Sequence, residues 1–308
     1  MNSTTTKTKV IWTYIIGAFV LLAYIGMSYQ SSTLEIPDSI LVKYGAPYAK
    51  DIYDGQFWGV IANSFLQNNF TLFICNILFF VFIGRIVEKK NGTWFLLFFG
   101  LGSSIITSCA ELAFSGDPGV GLTGVNFGLL GYILLSKKIV WKNPWLRASP
   151  WFFVGVVLFL CAEQIIQNDY KIAVFSILSG LVFGIVVALT QGIKWIFYFT
   201  QALFFSVSFV SLLFNPYSSE WHTFKGYRHI KEGKIKEAKI HYKKALKISP
   251  DNVAAQYNLK LIRIESLINK AYELHLNKDY TSARNVYIQI LKIDETNKWA
   301  KENLAELP

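Results

Sequence analysis

Apolar residues dominate this chain in long runs up to about residue 214 and then give way to single apolar positions recurring every three or four residues among charges. A helix needs about 20 mostly apolar residues to cross the hydrocarbon core of a bilayer, with about 17 as a lower limit. Seven runs meet or approach that length: Val10–Ser28, Phe70–Val87, Trp94–Leu112, Val120–Leu135, Trp151–Ile166, Ile172–Leu189 and Ile193–Phe214. Several carry internal Gly and Ser, as in Gly100-Leu-Gly-Ser-Ser104 and between Gly121 and Gly131, a composition that lets membrane helices pack backbone to backbone. The pattern predicts an all-α polytopic membrane protein with a soluble helical region after it.

Composition and charge sharpen this division. The 308 residues are 53% hydrophobic and only 16% charged, which excludes an ordinary soluble domain. Met1 to Phe214 holds 13 Lys and Arg against 9 Asp and Glu, whereas Asn215 to Pro308 holds 17 against 11. Charges of the tail alternate in sign, as on a solvated helical surface, and nothing in it reads as nucleic-acid recognition. Lys7, Lys9, Arg85, Lys89, Lys90, Lys137, Lys138, Lys142, Arg147 and Lys194 cluster in alternate connections and belong inside. The connections Ala113–Gly119 and Gln167–Lys171 hold almost no positive charge, and Tyr29–Asn69 holds Lys43 and Lys50 against four acids. Seven spans then put the N-terminus inside and the tail outside. Tyr29–Asn69 reads equally as an interfacial hairpin or as an ordinary external loop. Cys75, Cys109 and Cys161 sit in apolar runs at unrelated spacings with no histidine nearby, so no disulfide, metal site or cofactor is expected.

Two runs carry a denser signal. Gly121-Leu122-Thr123-Gly124-Val125-Asn126-Phe127-Gly128-Leu129-Leu130-Gly131 resembles the Gly-x-Ser-Gly active-site helix of rhomboid intramembrane proteases, with Thr123 in the place of the nucleophilic serine. Ile177-Leu178-Ser179-Gly180-Leu181-Val182-Phe183-Gly184 is similar to that family's helix with a histidine three residues before Gly-x-x-x-Gly, with Ile177 in the histidine's place. Leu72 and Asn76, followed by Gly84-Arg85-Ile86-Val87-Glu88, resemble the His-x-x-x-Asn helix and its trailing Gly-x-x-x-Glu, and Phe57-Trp58-Gly59 falls where the family carries Trp-Arg. The resemblance runs from about Val10 to Leu189. It implies a six-helix rhomboid core, to which the last apolar run adds one span.

The resemblance also assigns roles by position: Thr123 to the nucleophile, Ile177 to the base, and Leu72 and Asn76 to the oxyanion donors. Acyl transfer needs a base to take the nucleophile's proton, and an isoleucine cannot. All four histidines, His222, His229, His241 and His275, lie in the polar tail. No dyad is therefore expected. Glu111 and Glu163 are read as structural acids near span ends, and Asn76, Asn126 and Thr123 as residues that bond or pack across helices.

Within the tail, Gly233 to Asn252 aligns with Lys278 to Asn297 at an offset of 45 residues, matching Ala238, Tyr242 and Leu246 to Ala283, Tyr287 and Leu291. This pattern resembles tetratricopeptide repeats, whose period is about 34. The surplus of about 11 residues is close to three helical turns and predicts a longer helix over roughly Asp251–Leu276.

The expected organisation is an N-terminal tail over 1–9, a rhomboid-like membrane domain over 10–190, an added span over 191–214 and a repeat domain over 215–308. The leading expectation is a pseudoprotease of the bacterial cytoplasmic membrane that binds membrane or secreted client proteins without cutting them. Client contacts are expected at Trp58, Gly121, Gly124, Phe127, Gly180, Gly184, Tyr242 and Tyr287. The alternatives are an active intramembrane peptidase using another base and, from a different class, a transporter or channel. Bilayer lipid is the other expected partner, nucleic acid is not, and oligomeric state is left open.

Overall fold

The computed structural model describes residues 10–136, 139, 151, 155 and 173–307. The span expected at Trp151–Ile166, with Cys161 and Glu163, falls almost wholly outside the described residues. So do Lys137, Lys138, Lys142, Arg147 and the connection Gln167–Lys171. The chain divides into two compact units, Met1–Asn215 and Pro216–Pro308.

In the first unit, α1 (Trp12–Ser31), α5 (Phe70–Asn91), α6 (Thr93–Phe114) and α9 (Lys194–Leu213) are the long helices, and α7 (Thr123–Leu135) and α8 (Val174–Thr190) are shorter apolar ones. Four described helices are long and apolar enough to cross a bilayer. α7 falls short of that length because Gly121, at φ +111°, turns the chain just before it. From Gly124 to Ile133 every residue of α7 is buried. Between α1 and α5, the segment expected to be a hairpin or loop folds into α2 (Asp38–Tyr44), α3 (Ala49–Tyr53), α4 (Gly59–Ala62) and a 3₁₀ turn, Asn63–Phe65. It buries Ile36, Leu41, Ala46, Ala49, Ile52, Val60 and Leu66. Ala49 N–H donates to the carbonyl of Gly116 and so ties this cap to the connection after α6.

Two carboxylates close helix starts that belong to other segments. Glu88, fully buried on α5, accepts from the N–H groups of Ile11 (2.8 Å), Trp12 (3.0 Å) and Thr13 (3.0 Å) and from Thr13 Oγ1 (2.6 Å). The first N–H groups of a helix have no partner within it, and in an apolar medium leaving them bare is costly. Glu111 on α6 likewise accepts from the Ser176 N–H at 2.8 Å, in the first turn of α8.

Glycines set how closely α7 and α8 approach. A Cβ added at Gly180 would overlap the carbonyl oxygen of Gly124, one at Gly184 that of Gly128, and one at Gly131 that of Leu181. Without side chains at these points the two backbones touch, which is how apolar helices gain dispersion contact where no hydrophobic effect drives them together. Thr107 of α6 packs into the same seam against Gly124 and Gly180.

Among the described residues the second unit has five helices: α10 (Ser219–Lys231), α11 (Ile235–Ile248), α12 (Val253–Leu276), α13 (Tyr280–Ile293) and α14 (Lys298–Ala305). The 45-residue repeat is visible in its joints. Asn252 and Asn297 cap α12 and α14 through their side-chain oxygens, and Gly233 and Lys278 both turn the chain at positive φ, +72° and +60°. The Tyr242 ring lies on Gly226, and the fully buried Tyr287 shares a cluster with Ala271, the residue 45 positions after Gly226. The long helix expected over Asp251–Leu276 is α12.

Candidate functional site

Thr123 is the first residue of α7, at the end of the turn made by Gly121 and Leu122. Gly121 N–H donates to the carbonyl of Asn63 at 2.9 Å, which fixes that turn against the 3₁₀ segment. The Thr123 hydroxyl lies 3.1 Å from Nδ2 and 3.2 Å from Oδ1 of Asn76, which projects from α5. Asn76 Nδ2 also donates to Gln67 Oε1 at 3.0 Å, while Asn126 Nδ2 donates to Asn76 Oδ1 at 3.2 Å and to its backbone carbonyl at 3.0 Å. Both N–H bonds and the oxygen of the Asn76 carboxamide are thus occupied by protein groups.

Asn63 and Gln67 are the members of this cluster that the sequence reading missed. Both are fully buried, or nearly so, and the polar run Asn63-Ser-Phe-Leu-Gln67-Asn-Asn69 beside an apolar span was the available signal. The cluster also keeps unused capacity: neither side-chain amide atom of Asn63, nor Gln67 Nε2, nor Asn126 Oδ1 has a hydrogen-bond partner. Buried polar groups are nearly always paired, so these four atoms are exceptions closed inside the fold.

Leu72 stands one turn before Asn76, half-buried, and offers no polar atom. Ile177 is buried in the main apolar core, three residues before the Gly180 that touches Gly124. Trp58 is exposed, with its ring over Gly45.

Several expected contact residues have other work. Gly180 and Gly184 are closed inside the α7–α8 seam, where any side chain would strike the backbone of α7, and Gly124 is covered by the Thr107 side chain. Phe127 is buried against Phe79, ring centroids 6.5 Å apart. Gly121 serves through its backbone: a Cβ there would come within 2.9 Å of Gln67 Oε1. Tyr242 and Tyr287 are fully buried and form the cores of the two repeats, so neither can reach a ligand. Burial pushes the Tyr242 phenol up to about 12.

Comparison with known proteins fits this arrangement. Residues 54–194 match the Rhomboid domain, and residues 226–259 and 264–297 each match a tetratricopeptide repeat. The chain carries a rhomboid domain followed by tetratricopeptide repeats. The rhomboid region is distantly homologous to the rhomboid protease GlpG. It is 26% identical over 133 residues to that of Yersinia pseudotuberculosis serotype I, covering 43% of this chain and 48% of the relative. It is 25% identical over 169 residues to that of Haemophilus influenzae, covering 54% of this chain and 86% of the relative. The matched stretch thus spans about half the length of the Yersinia protein. In this rhomboid domain the Thr123–Asn76 cluster brings α5 and α7 together. All four histidines of the chain lie beyond it, at positions 222, 229, 241 and 275.

Proposed function

We propose that this rhomboid-domain protein holds membrane or secreted client proteins without cleaving them, in a six-helix frame with α9 as an added span and the repeats as a second protein-binding region. The observation that carries this reading is the partner of the Thr123 hydroxyl: a neutral carboxamide, Asn76, with no imidazole anywhere in the membrane unit. A carboxamide cannot take a proton at neutral pH, so the hydroxyl stays protonated and unreactive. Isoleucine at 177 and leucine at 72, where the resemblance places a base and an oxyanion donor, support the same conclusion.

A photo-crosslinking side chain at position 58 tests the reading. Crosslinks to a co-expressed transmembrane client are expected to survive Thr123→Ala with the client intact; a cleaved client that becomes intact in that variant would reject it. The proposed topology places the N-terminus inside the bacterial cytoplasmic membrane and the repeats outside. A cysteine at the exposed Ser266 is expected to react with an impermeant maleimide in intact cells, and protection of that cysteine would reverse the assignment.

A further inference from the structure

The fold sorts charges that the sequence mixes. Residues 215–250 hold nine Lys and Arg against three Asp and Glu, whereas residues 251–308 hold eight of each, so the whole positive excess of the tail belongs to the first repeat. Within that repeat, the buried side of α11 carries Ala238, Tyr242 and Ala245. The opposite side carries Lys236, Ile240, Lys243 and Lys247, at spacings of four, three and four, which is one line along a helix. Lys239 and Lys244 flank that line, and all five lysines are exposed.

Neither the repeat fold nor ion pairing accounts for these lysines. At the same positions of the second repeat, 45 residues on, stand Thr281, Arg284, Ile288, Gln289 and Lys292, so the helix pair needs no such row. The ion pairs of the first repeat gather instead at Glu232, which faces Arg228, His229 and Lys234, and among the described residues none involves the five lysines. Glu237 stands at the edge of the face, and Asp251, three residues past the helix, takes the Ser249 hydroxyl. Four pairs of the lysines are three or four residues apart, the spacing at which like charges on a helix repel. The row therefore carries a cost that an anionic surface would offset.

We propose that this face of α11 docks on the anionic phospholipid headgroups of the bilayer that the chain itself enters. The lysines meet the phosphates, and Ile240, 54% exposed in the middle of the row, reaches the top of the acyl region. Lysine is depleted from protein interfaces, and the face offers no aromatic or arginine anchor for a protein partner. A fluid anionic surface asks only for positive charge, each basic residue near it multiplying the bound population about fivefold. That surface is also close at hand. α9, long and apolar enough to cross a bilayer, ends at Leu213 and α10 starts at Ser219, a connection of about 20 Å at full stretch. A second copy of the chain would set lysine row against lysine row. The inference is independent of the chemistry at Thr123 and of the side of the bilayer on which the repeats lie.

The test is lysine acylation by an N-hydroxysuccinimide ester, read residue by residue by mass spectrometry, on the full chain in nanodiscs. One set of discs is phosphatidylcholine alone, and the other contains one third phosphatidylglycerol. At low salt the five lysines are expected to react at least threefold more slowly in the anionic discs, while the exposed Lys260, Lys270 and Lys292 of the second repeat keep their rates. Salt at about 1 M, where the screening length is about 3 Å, should restore the five. In the Lys236→Gln/Lys243→Gln/Lys247→Gln variant, whose substituted positions are exposed and should leave the melting temperature unchanged, Lys239 and Lys244 should react alike in both discs. Equal rates in the two discs, slowing that extends to the second repeat, or slowing that persists in the triple variant would overturn the proposal. So would stronger protection of the row by polyglutamate or a DNA oligonucleotide in phosphatidylcholine discs than by the anionic lipid, which would make the partner an acidic macromolecule.

Discussion

Thr123 and Asn76, 47 residues apart in sequence, share a hydroxyl–carboxamide contact of 3.1 and 3.2 Å that joins the start of α7 to the middle of α5. Because Asn76 also serves Gln67 and Asn126, it is the hub of the cluster. Asn76→Ala would strand the buried Gln67 Oε1 and take the carboxamide from the part-buried Thr123 hydroxyl, while Asn126 Nδ2 keeps the backbone carbonyl of residue 76. At about 1–3 kcal/mol for an orphaned buried group, the loss should be on the order of 3 kcal/mol, read as a lowered thermal midpoint in detergent. Thr123→Val, which removes one member at the edge, should cost only about 1 kcal/mol.

The glycine seam predicts a contrast between two substitutions of the same kind. Gly184→Ala would push a methyl into the Gly128 carbonyl, whereas Gly17→Ala on α1 would meet Val81 Cγ2 at an ordinary 3.6 Å. Overpacking of this sort costs about 1–3 kcal/mol or more. Thermal unfolding should show Gly184→Ala strongly destabilised and Gly17→Ala within about 0.5 kcal/mol of the parent.

Lys278 occupies the left-handed turn that Gly233 makes in the first repeat. An L-residue with a Cβ pays roughly 1–2 kcal/mol in that conformation, partly offset by glycine's greater freedom when unfolded. Lys278→Gly is therefore expected to stabilise the second repeat by about 0.5–1 kcal/mol, measured by hydrogen exchange in α13.

Acid should loosen the first repeat. His222 Nδ1 lies 2.9 Å from His241 Nδ1, and His222 Nε2 is 3.0 Å from the Pro216 carbonyl, a chain that needs one of the two facing Nδ1 atoms unprotonated and so breaks when both rings are charged. Burial lowers the affinity of both for protons; for His241, helped by His222, His229, Lys244 and Lys225, it falls to about 4. A histidine that holds its proton less well when folded favours the unfolded chain in acid. The packing is fully retained above the ordinary value of 6.5 and is lost progressively as pH falls towards 4. Exchange protection in α10 should be flat above neutral pH, decline across that window, and decline less in His241→Gln.

Much of this structure is legible along the chain, and the exceptions share a cause. The apolar runs mark α1, α5, α6 and α9 because a span must be apolar over its whole length. The 45-residue offset carries α12, since a helix can grow by whole turns without rotating its buried face. The hub at Asn76 draws partners from Gln67, Thr123 and Asn126, a juxtaposition made by tertiary packing that no local period encodes. Tyr242 and Tyr287 mislead for a different reason: a tyrosine at helical spacing looks the same whether its ring faces a guest or, as here, its own core. The glycines at 124, 180 and 184 were legible as close-packing residues, but spacing alone does not say whether a neighbouring helix already fills the place.

Reaction of the purified, detergent-solubilised protein with a fluorophosphonate probe and a generic transmembrane substrate, beside Thr123→Ala, bears most directly on whether this rhomboid domain cleaves anything. The hydroxyl bound to Asn76 and the absence of histidine before residue 222 predict no labelling and no cleavage by either protein. Cleavage by the parent that disappears in Thr123→Ala would contradict the account and make Thr123 a nucleophile.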